Sequence, residues 1–143
     1  MVDFLRGAIV ELLTMRLVEQ RCYAGECLSD QKFLDKNGRE VTGQIDVAVL
    51  SHDDKYAEGY ECKIKADGLM SEDCSNLKAL VYAAHEEDYA VHVGIVAFVA
   101  DRLVNRKLEN FNAPSYVAAY GLDSLTQLQD TPNYVEPDDS IEI

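Results

Sequence analysis

The chain has no tryptophan, three prolines among 143 residues, few cations and no long apolar run. No stretch approaches the roughly 18 uninterrupted apolar residues that a bilayer-spanning helix needs, so no such span is indicated. The opening Met1-Val2-Asp3-Phe4-Leu5-Arg6 carries an acid at position 3 and no small-residue cleavage site after an apolar core. It does not read as a signal peptide, and a cytoplasmic location is expected. Cys22, Cys27, Cys62 and Cys74 lack the paired spacing of a zinc site. In a chain without a secretion signal they are expected to be free, mostly buried thiols. Thirteen Lys and Arg stand against 26 Asp and Glu, a formal charge of -13. From Asp130 onward there are five acids and no Lys or Arg, yet the rest still holds 13 basic against 21 acidic residues. That balance argues against tight, unaided binding to a phosphate backbone.

What is present is enough apolar material for one core. With 48% hydrophobic residues, positions 1–129 are expected to form a single domain, and 130–143 a disordered or loosely docked acidic tail. Apolar spacings of three and four from Phe4 to Val18 predict a first, amphipathic helix over 2–20. From Cys22 to about Leu34, Gly25 and Ser29-Asp30 favour a turn and then a short irregular strand. Asp35-Lys36-Asn37-Gly38 marks a hairpin, because Asn-Gly tolerates positive backbone angles. Strands over 41–50 and 56–64 then complete a three-stranded antiparallel meander. Ser71, followed by Glu72 and Asp73, reads as the cap of a second helix to about 87. The apolar run 91–100 predicts a central strand buried on both faces and parallel to the Glu61 strand. A polar helix over 101–110, a strand over 115–120 and a last helical turn capped by Asp123 or Ser124 follow.

Charge sits where strands of this kind hide apolar groups. Asp46 lies within Gln44-Ile45-Asp46-Val47-Ala48, and Glu61-Cys62-Lys63 closes the next strand. Glu61 and Lys63 stand two apart, on one face of a strand, with Asp46 on the neighbour. Buried charge costs several kcal/mol unless it is paired or metal-bound. Two carboxylates beside an ammonium can hold a hard divalent cation, acidify a water and stabilise charge at phosphorus. The same spacing admits a plain cross-strand salt bridge. Lys65 reads as a solvated strand end, and Cys62 as structural, its thiol turned away from Glu61. Lys78 or Asn76 on the second helix could reach the site. Arg102, Arg106 and Lys107 read as a solvated helix face, and His52, His85 and His92 as unrelated surface residues.

The order helix, meander, helix, strand, helix, strand, with an acid on the second strand and Glu-x-Lys on the third, resembles the PD-(D/E)XK nuclease superfamily over about residues 1–127. The resemblance implies an α/β, restriction-endonuclease-like fold: a mixed central sheet, antiparallel meander plus parallel strands, flanked by helices. It further implies magnesium or manganese held by Asp46, Glu61 and the backbone carbonyl of Cys62, with Lys63 managing the attacking water. Many members carry a glutamate on the first helix that completes the metal shell. Gly7-Ala8-Ile9-Val10-Glu11 matches that helix, which favours Glu11 over Glu19. The proline of the family's nominal Pro-Asp is replaced by Ile45. The implied activity is metal-dependent phosphodiester hydrolysis, of DNA more than RNA, with a homodimer or a protein partner compatible with it. The acidic surface supports two alternatives: a non-catalytic interaction module on the same scaffold, or a nuclease subunit that borrows its DNA-binding surface.

Overall fold

The computed structural model describes residues 2–21 and 25–137, with side chains from residue 8 onward. The chain is α/β, with one mixed sheet of five strands in sequence order, β1 to β5. Helix α1 spans Val2–Glu19, β1 Glu26–Gln31, β2 Ile45–Ser51, β3 Tyr56–Lys63, α2 Ser71–Glu86, β4 Ala90–Ala97, α3 Asp101–Asn110 and β5 Val117–Tyr120. Strands β1, β2 and β3 pair antiparallel, and β4 pairs parallel with β3 and β5. The expected meander, crossover strand and flanking helices are all present.

Strand alternation divides the core in two. Val10, Leu17 and Val18 of α1 pack with Val47, Val49, Tyr60, Cys62, Val96 and Leu128 on one face. Leu77, Leu80 and Val81 of α2 and Val104 and Leu108 of α3 pack with Ala57, Val91, Val93 and Ile95 on the other. Strand β4 is buried on both faces, as its unbroken apolar run predicts. Helix α2 rests directly on the β3 backbone, since a Cβ at Gly59 would come within 2.6 Å of Leu80 Cδ2. Glycine there fixes the height of α2 above the strand that carries Glu61 and Lys63.

Several boundaries differ from the sequence reading for identifiable reasons. Strand β2 starts at Ile45 rather than Val41, because Thr42 Oγ1 accepts the Phe33 N–H (3.1 Å) and Asn76 Oδ1 the Gly43 N–H (3.0 Å) in place of ladder bonds. The cap of α2 is Met70, not Ser71. Asp73 Oδ2 accepts the Met70 N–H at 2.8 Å. Asp123 serves α3 rather than the last turn, its Oδ2 accepting the Asp101 N–H at 2.9 Å. Helix α1 is not cleanly amphipathic, as Ile9 and Leu12 are more than half exposed. The hairpin falls where Asn-Gly places it, with Gly38 at φ +80° and Asp35 Oδ1 accepting the N–H groups of Asn37 and Arg39.

At the C-terminal end, residues 130–137 take the docked one of the two expected states. They do not hang free: Val135 exchanges backbone hydrogen bonds with Val91 (3.0 and 2.7 Å), and the Tyr134 hydroxyl donates to Glu58 Oε2 at 2.9 Å. Tyr134 and Val135 provide the apolar and hydrogen-bonding grip that the surrounding prolines and acids obscure. Positions 138–143 of the expected tail, and Cys22, lie outside the described residues. Cys27, Cys62 and Cys74 are free thiols, and no described helix is long and apolar enough to cross a membrane.

Candidate metal centre

Side-chain alternation along β2 breaks at Asp46. Ile45 belongs to the core under α2 and Val47 to the core under α1, although residues two apart on a regular strand share a face. The β2–β3 register runs to Val47 opposite Tyr60. One step further, the Asp46 carboxylate replaces the ladder, its Oδ2 accepting the Cys62 N–H at 2.8 Å. Asp46 is thereby pinned to β3 at the residue between Glu61 and Lys63, and it meets acids from both sides of the sheet.

On the α2 side stands Glu61. It is 3% exposed, and its Oε1 is buried without a hydrogen-bond partner. Burial pushes its carboxyl up to about 9, and the charges of Asp46 and Asp73 push the same way, with Lys63 only partly offsetting them. Lys63 does not neutralise it directly. The lysine Nζ lies 3.3 Å from Asp73 Oδ2, so the plain salt bridge to Glu61 or Asp46 admitted by the spacing is replaced by an ion pair to the start of α2. Asp73 thus holds both the first turn of α2 and the lysine.

On the α1 side stands Glu11, half-buried, its carboxyl raised to about 7 by desolvation, then by Asp46 and Asp30. Glu11, Asp30 and Asp46 each present a carboxylate oxygen within 4.8 Å of the others. Asp30, which the sequence reading assigns only to a turn, reaches this group from the sheet edge. It adopts φ +53° while its neighbours Ser29 and Gln31 stay paired with Val47 and Ile45. An Asp accepts that left-handed backbone more readily than most residues.

Of the four side chains named from sequence, the structure joins Glu11 to Asp46, Asp46 to Glu61, and Lys63 to Asp73. The tightest acidic group contains Asp30 in place of Glu61. Comparison with protein-family models, with curated proteins and with solved structures finds no match to this chain.

The other candidates separate from this site. The Cys62 thiol is buried on the α1 side, 3.5 Å from Thr14 Oγ1, facing away from Glu61 as alternation predicts. Asn76 is committed to the Gly43 N–H. Lys65, Arg102 and Arg106 are exposed, and Lys107 lies 5.4 Å from the Phe111 ring centre. His92 corrects the expectation of three surface histidines: it is 7% exposed, and its Nε2 lies 2.8 Å from the Tyr120 hydroxyl. It sits on β4, whose neighbours on both sides bury it. A groove of about 240 Å³ lined by Phe33, Leu34, Leu50, Ala57, Leu80 and Tyr89 contains none of the clustered acids.

Proposed function

We propose that this chain is a divalent-metal-dependent nuclease of restriction-endonuclease-like type, hydrolysing phosphodiester bonds in DNA in preference to RNA. One observation carries the reading: Glu61, almost wholly buried, has an oxygen without a partner amid like charges, while the adjacent lysine is held by a third acid. A fold selected for stability alone does better with an apolar residue at such a position. An all-carboxylate donor set fits a hard cation such as magnesium or manganese and does not fit a thiophilic one. Asp46, Glu61 and the Cys62 carbonyl are the expected ligands, with Glu11 completing the shell. The cation, when bound, supplies positive charge at the scissile phosphate and a more acidic water.

The chain's own residues supply the rest. The Cys62 N–H orients Asp46, and Asp73 fixes the Lys63 ammonium where it can stabilise developing negative charge or exchange a proton with the attacking water. Supercoiled, linear, single-stranded and branched DNA, and RNA, should be offered with magnesium or manganese to the wild type, Glu61→Ala and Lys63→Ala. Metal-dependent cutting abolished in both variants supports the reading. No cutting of any substrate, together with no rise in melting temperature on adding metal, sinks it.

The formal charge of -13 favours a second reading in which a protein partner delivers the nucleic acid. Cleavage that appears only after a basic partner is added would select it. Metal-independent binding of a protein partner, with no cleavage, would select the non-catalytic module.

A further inference from the structure

On the face of the sheet that carries α2, the helices lie over β3, β4 and β5. Beside them, the groove of about 240 Å³ separates α2 from the hairpin that joins β1 to β2. Leu50 and Ala57, opposite each other on β2 and β3, line it from the sheet, Phe33 and Leu34 from the hairpin, and Leu80 from α2. Tyr89 also lines it, its hydroxyl 2.8 Å from His52 Nδ1. Leu34 is 58% exposed, and a hollow of about 160 Å³ that shares Phe33, Leu34 and Leu50 extends the apolar surface to Leu28. Contiguous exposed apolar surface of this kind marks sites of contact with other molecules.

The mouth of the groove is acidic. Asp35 and Glu87 line it, and an adjoining hollow of about 350 Å³ adds Glu86, with Lys36 as the one cation in either lining. Glu86 ends α2, Glu87 is its C-cap, and Asp88 follows at φ +61°. A helix C-terminus carries partial negative charge and favours Lys, Arg or His, and a left-handed residue after the cap favours glycine. Glu-Glu-Asp contradicts both preferences, and among the described residues none of these three acids has an ion pair. Local rules broken together with no compensating contact point to a use outside the fold.

We propose that this groove docks a partner protein through a segment that sets one or two bulky apolar side chains against Leu34, Leu50 and Tyr89, and a neighbouring Lys or Arg against Glu86, Glu87 and the C-terminal end of α2. Charge complementarity selects that occupant. An acidic or neutral apolar segment would fill the groove and leave the acids and the helix end uncompensated. A second copy of this chain would bring 26 acids against 13 cations to an acidic rim. The volume suits anchoring side chains, since pockets that take cofactors run to roughly 300–1,000 Å³. The groove holds none of the acids around Asp46, so the inference goes beyond the metal-dependent reading and does not rest on it.

The test screens the full chain against a displayed library of random peptides, then measures the recovered sequences as capped synthetic peptides by fluorescence anisotropy at low and high salt. Wild type is compared with Leu34→Ser, with the double variant Glu86→Lys/Glu87→Lys, and with Leu122→Ser, which alters an equally exposed leucine (58%) outside the groove. Recovered peptides should carry Lys or Arg within a few positions of Leu, Ile, Phe or Tyr. Leu34→Ser should weaken their binding about fivefold through lost apolar burial. The double variant should weaken it about tenfold or more at low salt, and high salt should erase most of that difference. Its melting temperature should equal or exceed that of wild type, because cations suit a helix C-terminus, which separates lost docking from lost folding. Leu122→Ser should bind as wild type does. No peptide enriched above background, enriched peptides that lack a cation, affinity unchanged in either groove variant, or affinity lost equally in Leu122→Ser would overturn the inference. So would a wild-type dimer, seen by sedimentation, that Leu34→Ser abolishes, since a second copy would then be the occupant.

Discussion

Glu58 and Glu61 stand three residues apart on β3, on opposite faces, and both are almost wholly buried, yet their surroundings are opposites. Glu58 is saturated: Arg21 Nη1 lies 2.6 Å from Oε1, the Tyr134 hydroxyl 2.9 Å from Oε2, and the Tyr60 hydroxyl also donates to it. Arg21 is anchored in turn, its Nε donating to the Leu128 carbonyl at 2.8 Å. Glu61 has acids for neighbours and an oxygen with no donor. Burial of a carboxylate is therefore not what marks a site in this molecule. At Glu61 burial coincides with an unpartnered oxygen among other acids.

Breaking the satisfied end should produce the largest loss of stability. Arg21→Met strands a buried carboxylate, and about 3–5 kcal/mol should disappear from the unfolding free energy in urea. A loss below about 1 kcal/mol would mean that Glu58 finds other donors. At the unsatisfied end the sign reverses. The Glu61 carboxyl is raised from 4.5 to about 9, so the folded chain holds a proton that the unfolded chain releases. Its contribution is intact below about 4.5 and is lost as pH climbs toward 9. Glu61→Gln should therefore gain stability over wild type, by more than about 1 kcal/mol at pH 8 and by little near pH 4. Unfolding curves at the two pH values check this, and a uniform loss would refute the contrast.

Manganese sharpens the comparison from another side. Protons on Glu11 and Glu61 compete with a cation, so affinity should tighten by about tenfold or more between pH 6 and pH 8. Calorimetry at both values measures it, and a flat profile would remove these two carboxyls from the ligand set. Asp73→Asn should lower cleavage about tenfold through a displaced Lys63, with a change in melting free energy of only about 1 kcal/mol, since Asn can still cap α2. The smallest effect is expected for Tyr134→Phe, which removes one hydrogen bond to a saturated carboxylate and should cost about 1 kcal/mol.

The same contrast explains what could be read from the sequence. Helices and strands announced themselves through period and turn residues, and Asp46, Glu61 and Lys63 stood out because charge interrupted strand patterns. Glu11 could be singled out through the resemblance. Asp30 gave no signal, since Ser-Asp beside an edge strand reads as a turn and only tertiary packing brings it to Glu11. Asp73 looked like a first-turn acid of α2, and there it accepts the Met70 N–H, but its second role depends on Lys63 reaching across from β3. The Arg21–Glu58 pair joins residues 37 apart, and no local pattern encodes it. His92 was misread because a lone histidine within an apolar strand gives no hint of the Tyr120 hydroxyl, 28 residues on.

The anchoring of Arg21 also bears on the order in which the protein can assemble. Its carbonyl partner at Leu128 lies 107 residues further along, and Tyr134, which completes the Glu58 shell, is 76 residues beyond that glutamate. A nascent chain emerging from the ribosome therefore presents Arg21 and Glu58 long before the groups that seal them are made. The face of the sheet under α1 closes late in synthesis, after Leu128 and Tyr134 are made, whereas the buried core under α2 is complete once α3 and β5 are available.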